Sequence, residues 1–253
     1  MKKPLIIAHR GDSSHAPENT LAAFRLALDK GADGVEFDVQ LSKDGVPVVI
    51  HDFDLKRTAG RREAVAELTA KQLGKIDVGS WFARKNKTGD DLSSQTVPTL
   101  VEVLDTLTDC RGPIYIELKC RDTGYDELAK AVCHVIRDSP QLSQMIVKSF
   151  KLAAIPAVRH ALPEVRTAAL FAPEIMNILR RKRHIIALAR EFSADQLSVH
   201  HSLATPKLTT LATDAQMPIT IWTTDNPAWL TRCRKRNISA LITNNPAKLL
   251  SKR

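Results

Sequence analysis

Short apolar runs of β character alternate with helical patterns along this chain, and that alternation constrains its fold more than any other feature. The strand candidates are Leu5–His9, Gly34–Val39, Pro113–Lys119, Met145–Ser149, Val165–Phe171, Gln196–His200, Ile219–Thr223 and Ala240–Thr243. Helical patterns lie between most of them, at Glu18–Lys30, Thr99–Asp109, Tyr125–Arg137, Leu152–Ala161, Pro173–Phe192, Pro206–Ala215 and Pro227–Arg236. Alternating strands and helices predict a parallel sheet. Eight βα units within 253 residues predict an α/β protein of the closed (β/α)8 TIM-barrel class. An open doubly wound sheet would usually carry a glycine-rich dinucleotide loop after its first strand, and no GxGxxG follows Leu5–His9.

One segment interrupts the rhythm. After "GVEFDVQLS" come Lys43-Asp44-Gly45 and then "VPVVIHD". Asp-Gly between two extended runs signals a hairpin, because both residues tolerate the positive φ of a tight turn. The second strand should therefore extend into a hairpin before its helix arrives. Residues 53–97 read as a small insertion, with a short helix near Ala64–Leu73, the stretch Gly79-Ser80-Trp81-Phe82 and the polar loop "RKNKTGDDLSSQ". The expectation is one barrel domain over residues 1–253 that carries this insertion.

Composition narrows the class. Apolar residues make up 43% of the chain, enough for a sizeable core, and the net charge is +9. Such a balance fits an anionic substrate as well as nucleic acid or lipid. The charge is diffuse and collects only at residues 180–183 and 232–236, in helix-like stretches that read as solvated faces. No nucleic-acid recognition motif accompanies it. Cys110, Cys120, Cys133 and Cys233 show no metal or disulfide spacing, which points to a reducing, cytoplasmic compartment. The apolar run Leu5–Ala8 is too short for a signal peptide, and no stretch approaches the ~20 residues of a membrane span.

The chemistry-bearing residues sit at strand ends. Side chains alternate along a strand, so Glu36 and Asp38 share a face, as do Glu117 and Lys119. Val35, Phe37 and Val39 form the opposite face, which in a barrel packs against helices, so the two acids must point inward. Barrel active sites form at the carboxyl ends of the strands. There the three carboxylates would repel unless a cation neutralised them, and oxygen-only ligands favour Mg2+ or Ca2+. His9-Arg10 ends the first strand and His51-Asp52 ends the hairpin. Two imidazoles can divide general base and general acid duties. Arg10 offers bidentate hydrogen bonds to phosphate and Lys119 a point charge. Together they describe a site for a phosphate ester.

The motifs "AHRG…APENT", "EFDVQLSKDGVPVVIHD…L.RT", "IDVGSWF", "VPTLVEVL", "IELK", "SF" and "IWTTDN" occur in the order found in the glycerophosphodiester phosphodiesterase family, so the chain resembles that family from residue 5 to about 247. Its similarity is greatest to cytosolic bacterial members. The resemblance implies a (β/α)8 barrel with a small inserted subdomain. It implies hydrolysis of glycerophosphodiesters to an alcohol and sn-glycerol 3-phosphate with a divalent cation. Residue by residue, it implies Glu36, Asp38 and Glu117 as metal ligands, His9 and His51 as the acid–base pair, and Arg10 and Lys119 as phosphate contacts. Trp222, at a strand end, would pack against the glycerol carbons, while Phe150 and Trp81 read as ordinary packing. Pro17 suits a first helical turn, and Glu18 would complement the helix dipole. His200 and His201 should face opposite sides of their strand. Family members usually carry aspartate where this chain has Asn244, which removes a charge from that place.

Two other readings compete. A phospholipase-type phosphodiesterase acting on lysophospholipid could use the same scaffold, although no exposed apolar loop is evident in the sequence. A catalytically silent phosphate-ester-binding protein is the other, and the complete polar set argues against it.

Overall fold

A computed structural model of the chain describes residues 3–253 other than 87–91, 93, 122 and 180. Part of the polar loop expected at 84–95, and Arg180 of the basic run, lie outside the described residues. Among the described residues there are nine strands: β1 (Leu5–His9), β2 (Gly34–Leu41), β3 (Pro47–Val49), β4 (Ile114–Leu118), β5 (Met145–Ser149), β6 (Arg166–Phe171), β7 (Gln196–His200), β8 (Ile219–Trp222) and β9 (Ala240–Thr243). Eight of them pair in parallel in the order β1-β2-β4-β5-β6-β7-β8-β9, and β1 pairs with both β2 and β9, so the sheet closes into a TIM barrel. β3 folds back antiparallel on β2, with Val39 opposite Val49. Gly45 makes the turn, with φ +75°.

Strand alternation sorts the side chains. Val35, Phe37 and Val39 face outward into the helix layer, where all three are fully buried. The helix Leu21–Asp29 lays Phe24 edge-on against Phe37, with centroids 5.5 Å apart. Burying such a ring contributes about 1.5–3 kcal/mol. Inward, Ile7, Tyr115, Ile146, Ala168, Ala240 and Ile242 plug the barrel. The one polar atom Tyr115 brings into this plug meets Thr220 Oγ1 at 2.8 Å. An apolar plug below leaves the barrel's polar inward residues in a layer above it, at the carboxyl ends of the strands.

The first helix starts later than Pro17-Glu18 implied. Its N-cap is Thr20, whose hydroxyl accepts from Ala23 N. Pro17 and Glu18 lie in the preceding turn, and Glu18 turns to two arginines instead of a helix dipole. The expected helix Pro173–Phe192 is broken into Ile175–Leu179 and Arg183–Glu191. Arg181 and Lys182 lie between the two, and Lys182 is the N-cap of the second. The sequence reading passed over a short C-terminal helix, Pro246–Leu250, capped by Asn245. Within 53–97 the expected short helix is a 3-10 turn, Val65–Glu67, followed by a helix, Ala70–Leu73. Two further helices, Lys56–Ala59 and Ser80–Asn86, carry Arg57 and Trp81. Leu55, Val65, Leu73, Ile76, Val78 and Val97 of this segment form a small apolar core together with Val48 and Ile50 of the hairpin. Among the described residues, no helix is long and apolar enough to cross a membrane.

Candidate active site

Register brings the chemistry together. His9 pairs with Glu36 across β1–β2, Asp38 with Glu117 across β2–β4, and Glu117 with Lys148 across β4–β5. Cα partners in a parallel ladder point to the same face, so these side chains rise together above the apolar plug. One carboxylate oxygen from each of Glu36, Asp38 and Glu117 lies within 4.8 Å of the others. All three residues are buried. A cavity of about 260 Å³ opens beside them, lined by His9, Arg10, Glu36, His51, Glu117, Lys119, Lys148, Phe150, Trp222 and Thr223. Every candidate site residue read from the sequence lines this cavity or, as Asp38 does, contacts one that lines it.

The loop after β1 turns at once. Arg10 and Gly11 both adopt positive φ, +56° and +80°. Left-handed backbone at a non-glycine residue persists only where the surroundings hold it, and such residues gather at functional sites. Here the turn swings the Arg10 guanidinium onto Asp38 Oδ2 (Nε at 3.0 Å) and Glu18 Oε1 (Nη1 at 2.8 Å). Asn19, also left-handed at φ +58°, donates to Asp38 Oδ2 at 2.9 Å. Lys119 Nζ meets Glu117 Oε1 at 2.9 Å and Asp38 Oδ1 at 3.6 Å. Lys148 Nζ meets Glu36 Oε1 at 2.7 Å and Glu117 Oε2 at 3.8 Å.

Each imidazole is held by Nδ1. That of His9 stands 2.6 Å from Asn244 Oδ1, an atom that can only accept, so Nδ1 carries the hydrogen and Nε2 keeps its lone pair. Nε2 lies 3.8 Å from Glu36 Oε2. The amide's orientation is supported by Asp225, whose Oδ2 takes Asn244 Nδ2 at 3.4 Å and whose Oδ1 takes the Asn244 backbone N–H at 2.8 Å. His51 Nδ1 is 2.7 Å from Asp52 Oδ1, and Asp52 Oδ2 accepts from Arg57 Nε at 2.6 Å. Arg57 then grips Glu18 with both terminal nitrogens, at 2.8 and 2.7 Å. The segment carrying His51 is clamped by Gln40, whose Nε2 lies 3.0, 3.0 and 2.8 Å from the carbonyls of Ile50, His51 and Asp52.

Burial and charge set the protonation states. Burial, reinforced by Arg10, holds His9 below its ordinary value against the pull of Glu36. Burial alone would raise Asp38, but Arg10, then Lys119, keep it well below the usual carboxylate range. Burial and the neighbouring Asp38 charge raise Glu117. Asp38 is thus the carboxylate best compensated by the protein itself. Glu36 Oε2 is buried and has no hydrogen-bond partner. An orphaned anionic oxygen within reach of two other carboxylates fits a hard divalent cation, and this cluster can hold one.

Several positions depart from the sequence reading. Phe150 is not core packing: it is 45% exposed, lines the cavity and meets Trp222 edge-on at 5.5 Å. Trp81 is a platform beneath two cations, Arg57 and Lys85. The rings of His200 and His201 do not face opposite sides; their centroids are 4.1 Å apart, because β7 ends at His200 and a 3-10 turn begins at His201. Asn19, Gln40 and Arg57 were not among the candidates. Lys148 and Ser149 stand out in the sequence only as residues at a strand end; Lys148 lines the cavity, two residues from Ile146 on the inward parity of β5, and Ser149 is buried.

Comparison with known proteins agrees with this geometry. The model of the Glycerophosphoryl diester phosphodiesterase family matches residues 9–248. A glycerophosphodiester phosphodiesterase of Caldanaerobacter subterraneus subsp. tengcongensis is 30% identical over 98% of this chain and 97% of its own. A Bacillus subtilis protein described as a putative glycerophosphodiester phosphodiesterase is 31% identical over 95% and 94%. Among solved structures, an Oleispira antarctica phosphodiesterase in complex with the product sn-glycerol-3-phosphate superposes with a TM-score of 0.86 at 26% identity, over 99% of this chain and 96% of that one. The matched span takes in both histidines, the acidic cluster and the cations around it, and the chain belongs to the glycerophosphoryl diester phosphodiesterase family, a family of hydrolases.

Proposed function

We propose that this enzyme hydrolyses glycerophosphodiesters to an alcohol and sn-glycerol 3-phosphate, with a divalent cation, Mg2+ or Ca2+, held by Glu36, Asp38 and Glu117. The observation that carries this reading is the convergence of three buried carboxylates on one cavity that both imidazoles line. Bound there, a cation would polarise the phosphate as a Lewis acid and make the attacking hydroxyl more acidic, whether that hydroxyl is water's or the glycerol 2-hydroxyl, in which case water then opens the cyclic phosphate.

The protein's own groups divide the remaining work. Arg10 and Lys119 line the cavity and offer N–H donors to the non-bridging phosphate oxygens. His9 is the general base. Its partner is a neutral amide and burial favours the uncharged ring, so Nε2 takes the proton of the attacking oxygen. His51 is the general acid. Its partner is the Asp52 carboxylate, which pairs with an imidazolium, so the ring gives its proton to the leaving alcohol oxygen. Trp222 and Phe150 offer apolar edges to the glycerol carbons. The insertion takes part through Arg57, so residues 1–253 act as one catalytic unit.

The test is an assay with glycerophosphoethanolamine plus Mg2+, Ca2+ or EDTA, with glycerol 3-phosphate measured as product. Product with a cation and none with EDTA is expected. His9→Ala and His51→Ala variants that both kept near-normal turnover would refute the acid–base roles.

One observation favours a second substrate class, lysophospholipid. Ile178 is 76% exposed and Phe150 45%, both on segments that follow β6 and β5 at the mouth of the barrel. Comparing glycerophosphocholine with lysophosphatidylcholine separates the two.

A further inference from the structure

The acidic cluster already contains cations. Three carboxylates, Glu36, Asp38 and Glu117, are met within 4 Å by three basic side chains, Arg10, Lys119 and Lys148. The three are not equivalent. Arg10 and Lys119 keep 16% of their side-chain surface and open onto the cavity, and Arg10 shares itself with Glu18. Lys148 keeps 2% and, among the described residues, has as ion-pair partners only Glu36 and Glu117, two of the three oxygen ligands proposed for the metal. A lysine is almost never fully buried unless paired, and burying an unpaired ammonium costs far more than any surface pairing returns. Lys148 therefore depends on those two carboxylates, and they in turn are partly neutralised by it.

Glu36 shows how the two cations would divide the site. Its Oε1 forms an ion pair with Lys148 Nζ at 2.7 Å, while its Oε2 is buried without a hydrogen-bond partner, 3.8 Å from His9 Nε2. A divalent cation taking Oε2 would share one buried carboxylate with the ammonium. Two positive charges so close repel strongly in a poorly hydrated interior.

Building on the metal-dependent reading above, we infer that Lys148 is a resident counter-cation of the acidic cluster, which lowers the cluster's affinity for its divalent metal and holds Glu36 and Glu117 together when the metal is absent. Lys148 acts on the carboxylates and is a positioning residue. It makes metal binding a partial exchange of charge partners, with the barrel mouth already neutralised before the metal arrives.

The inference fixes a direction. Removing the ammonium should tighten metal binding, whereas loss of a merely structural side chain would loosen it. The full chain is stripped with a chelator and titrated with Mn2+, with free Mn2+ read by electron paramagnetic resonance. Lys148→Met and Lys148→Gln should bind Mn2+ about tenfold or more tighter than the wild type, and Lys148→Arg, which keeps the charge, within about threefold of it. In chelator, Lys148→Met should melt below the wild type, and Mn2+ should raise its Tm by more. Unchanged or weaker Mn2+ binding in both neutral variants overturns the inference. If Lys148→Met does not fold in chelator, Lys148→Gln and refolding of Lys148→Met in Mn2+ supply the same comparison. The wider reading fails separately. Tighter Mn2+ binding in a chain that turns over no glycerophosphodiester would keep Lys148 in its role and remove the proposed reaction. Metal-dependent turnover with unchanged Mn2+ affinity in both neutral variants would do the opposite.

Discussion

Asn244 Oδ1 stands 2.6 Å from His9 Nδ1, although 235 residues separate the two in the chain. β1 and β9 are neighbours in the closed barrel, and the loops that leave them meet at its mouth. The amide does for His9 what Asp52 does for His51: it fixes the ring and the tautomer. It differs in bringing no charge, although Asp225 stands directly behind it. Asn244→Ala should lower kcat by about 10–100-fold while KM stays within about threefold, because the ring loses its orientation and not its contact with substrate. Asn244→Asp keeps the acceptor and should recover most of that loss. Steady-state kinetics on both variants checks this; equal loss in the two would remove the positioning role.

Arg57 ties the His51 system to Arg10. It bridges Asp52, which holds His51, to Glu18, which holds Arg10, and its guanidinium lies 5.5 Å from the Trp81 ring. Arg57→Met should cut kcat about tenfold by releasing Asp52. Its effect on stability is smaller, since Arg57 is 41% exposed and solvent screens the pair. The pH dependence has a definite sign. Glu18 and Asp52 would both rise through burial, but Arg57, with Arg10 for Glu18 and His51 for Asp52, holds them below their ordinary values. A depressed carboxyl stabilises the fold above its unfolded value, near pH 4, and that contribution is lost as the pH falls through the folded value. The Tm gap between wild type and Arg57→Met should therefore be widest near neutrality and shrink between about pH 5 and pH 3. Thermal melts across that range read it, and a gap that widened on acidification would contradict the network.

Glu36→Gln tests the orphaned oxygen. The substitution keeps the shape of the side chain and an acceptor for Lys148, and removes the charge from the cluster. Mn2+ affinity should drop by about tenfold or more, and the Tm increase that saturating metal gives the wild type should largely vanish. For scale, a ligand at a hundred times its Kd stabilises a fold by about 2.7 kcal/mol. Calorimetric melts with metal and with chelator measure the difference. A full metal-induced increase in Glu36→Gln would place the ion elsewhere.

The barrel was legible because its determinants are local. Apolar runs of strand length, period-two alternation and an Asp-Gly turn each occupy a few adjacent residues, and all eight barrel strands fall where that pattern sets them. Glu36, Asp38 and Glu117 were legible for the same reason, since parity along two strands decides their face. What was not legible depends on closure. Asn244 stood out as a departure from the family, but its contact with His9 exists only because β9 returns to β1, and Gln40 clamps the His51 segment only because the hairpin folds back over it. Arg57 reads locally as one more exposed cation, and its bridging role exists only once the insertion packs against the loop after β1. The stacked pair His200–His201 escaped because alternation holds only while the strand lasts, and β7 ends between the two rings.

Gly11 shows how closely the "HRG" turn is fitted. Its φ is +80°, and a Cβ built there would lie 2.5 Å from the backbone carbon of Ala23, a distance that real Cβ atoms do not tolerate. The helix Leu21–Asp29 passes that close because Asp12 N donates to Ala23 O at 2.9 Å, tying the loop to the first helical turn. Gly11→Ala therefore meets both a backbone conformation unfavourable to L-residues and a clash with main chain that no rotamer relieves. A cost of about 3 kcal/mol or more is expected, which in a domain of this size lowers Tm by about 6–12 °C. The functional consequence should exceed the thermal one. Any shift that relieves the clash moves Arg10, the adjacent residue, away from Asp38 and Glu18, so Gly11→Ala should lose most of its turnover well below its own Tm. Measuring kcat at a temperature where circular dichroism shows the variant fully folded decides the matter. Wild-type turnover there would mean that the position of Arg10 does not depend on this turn.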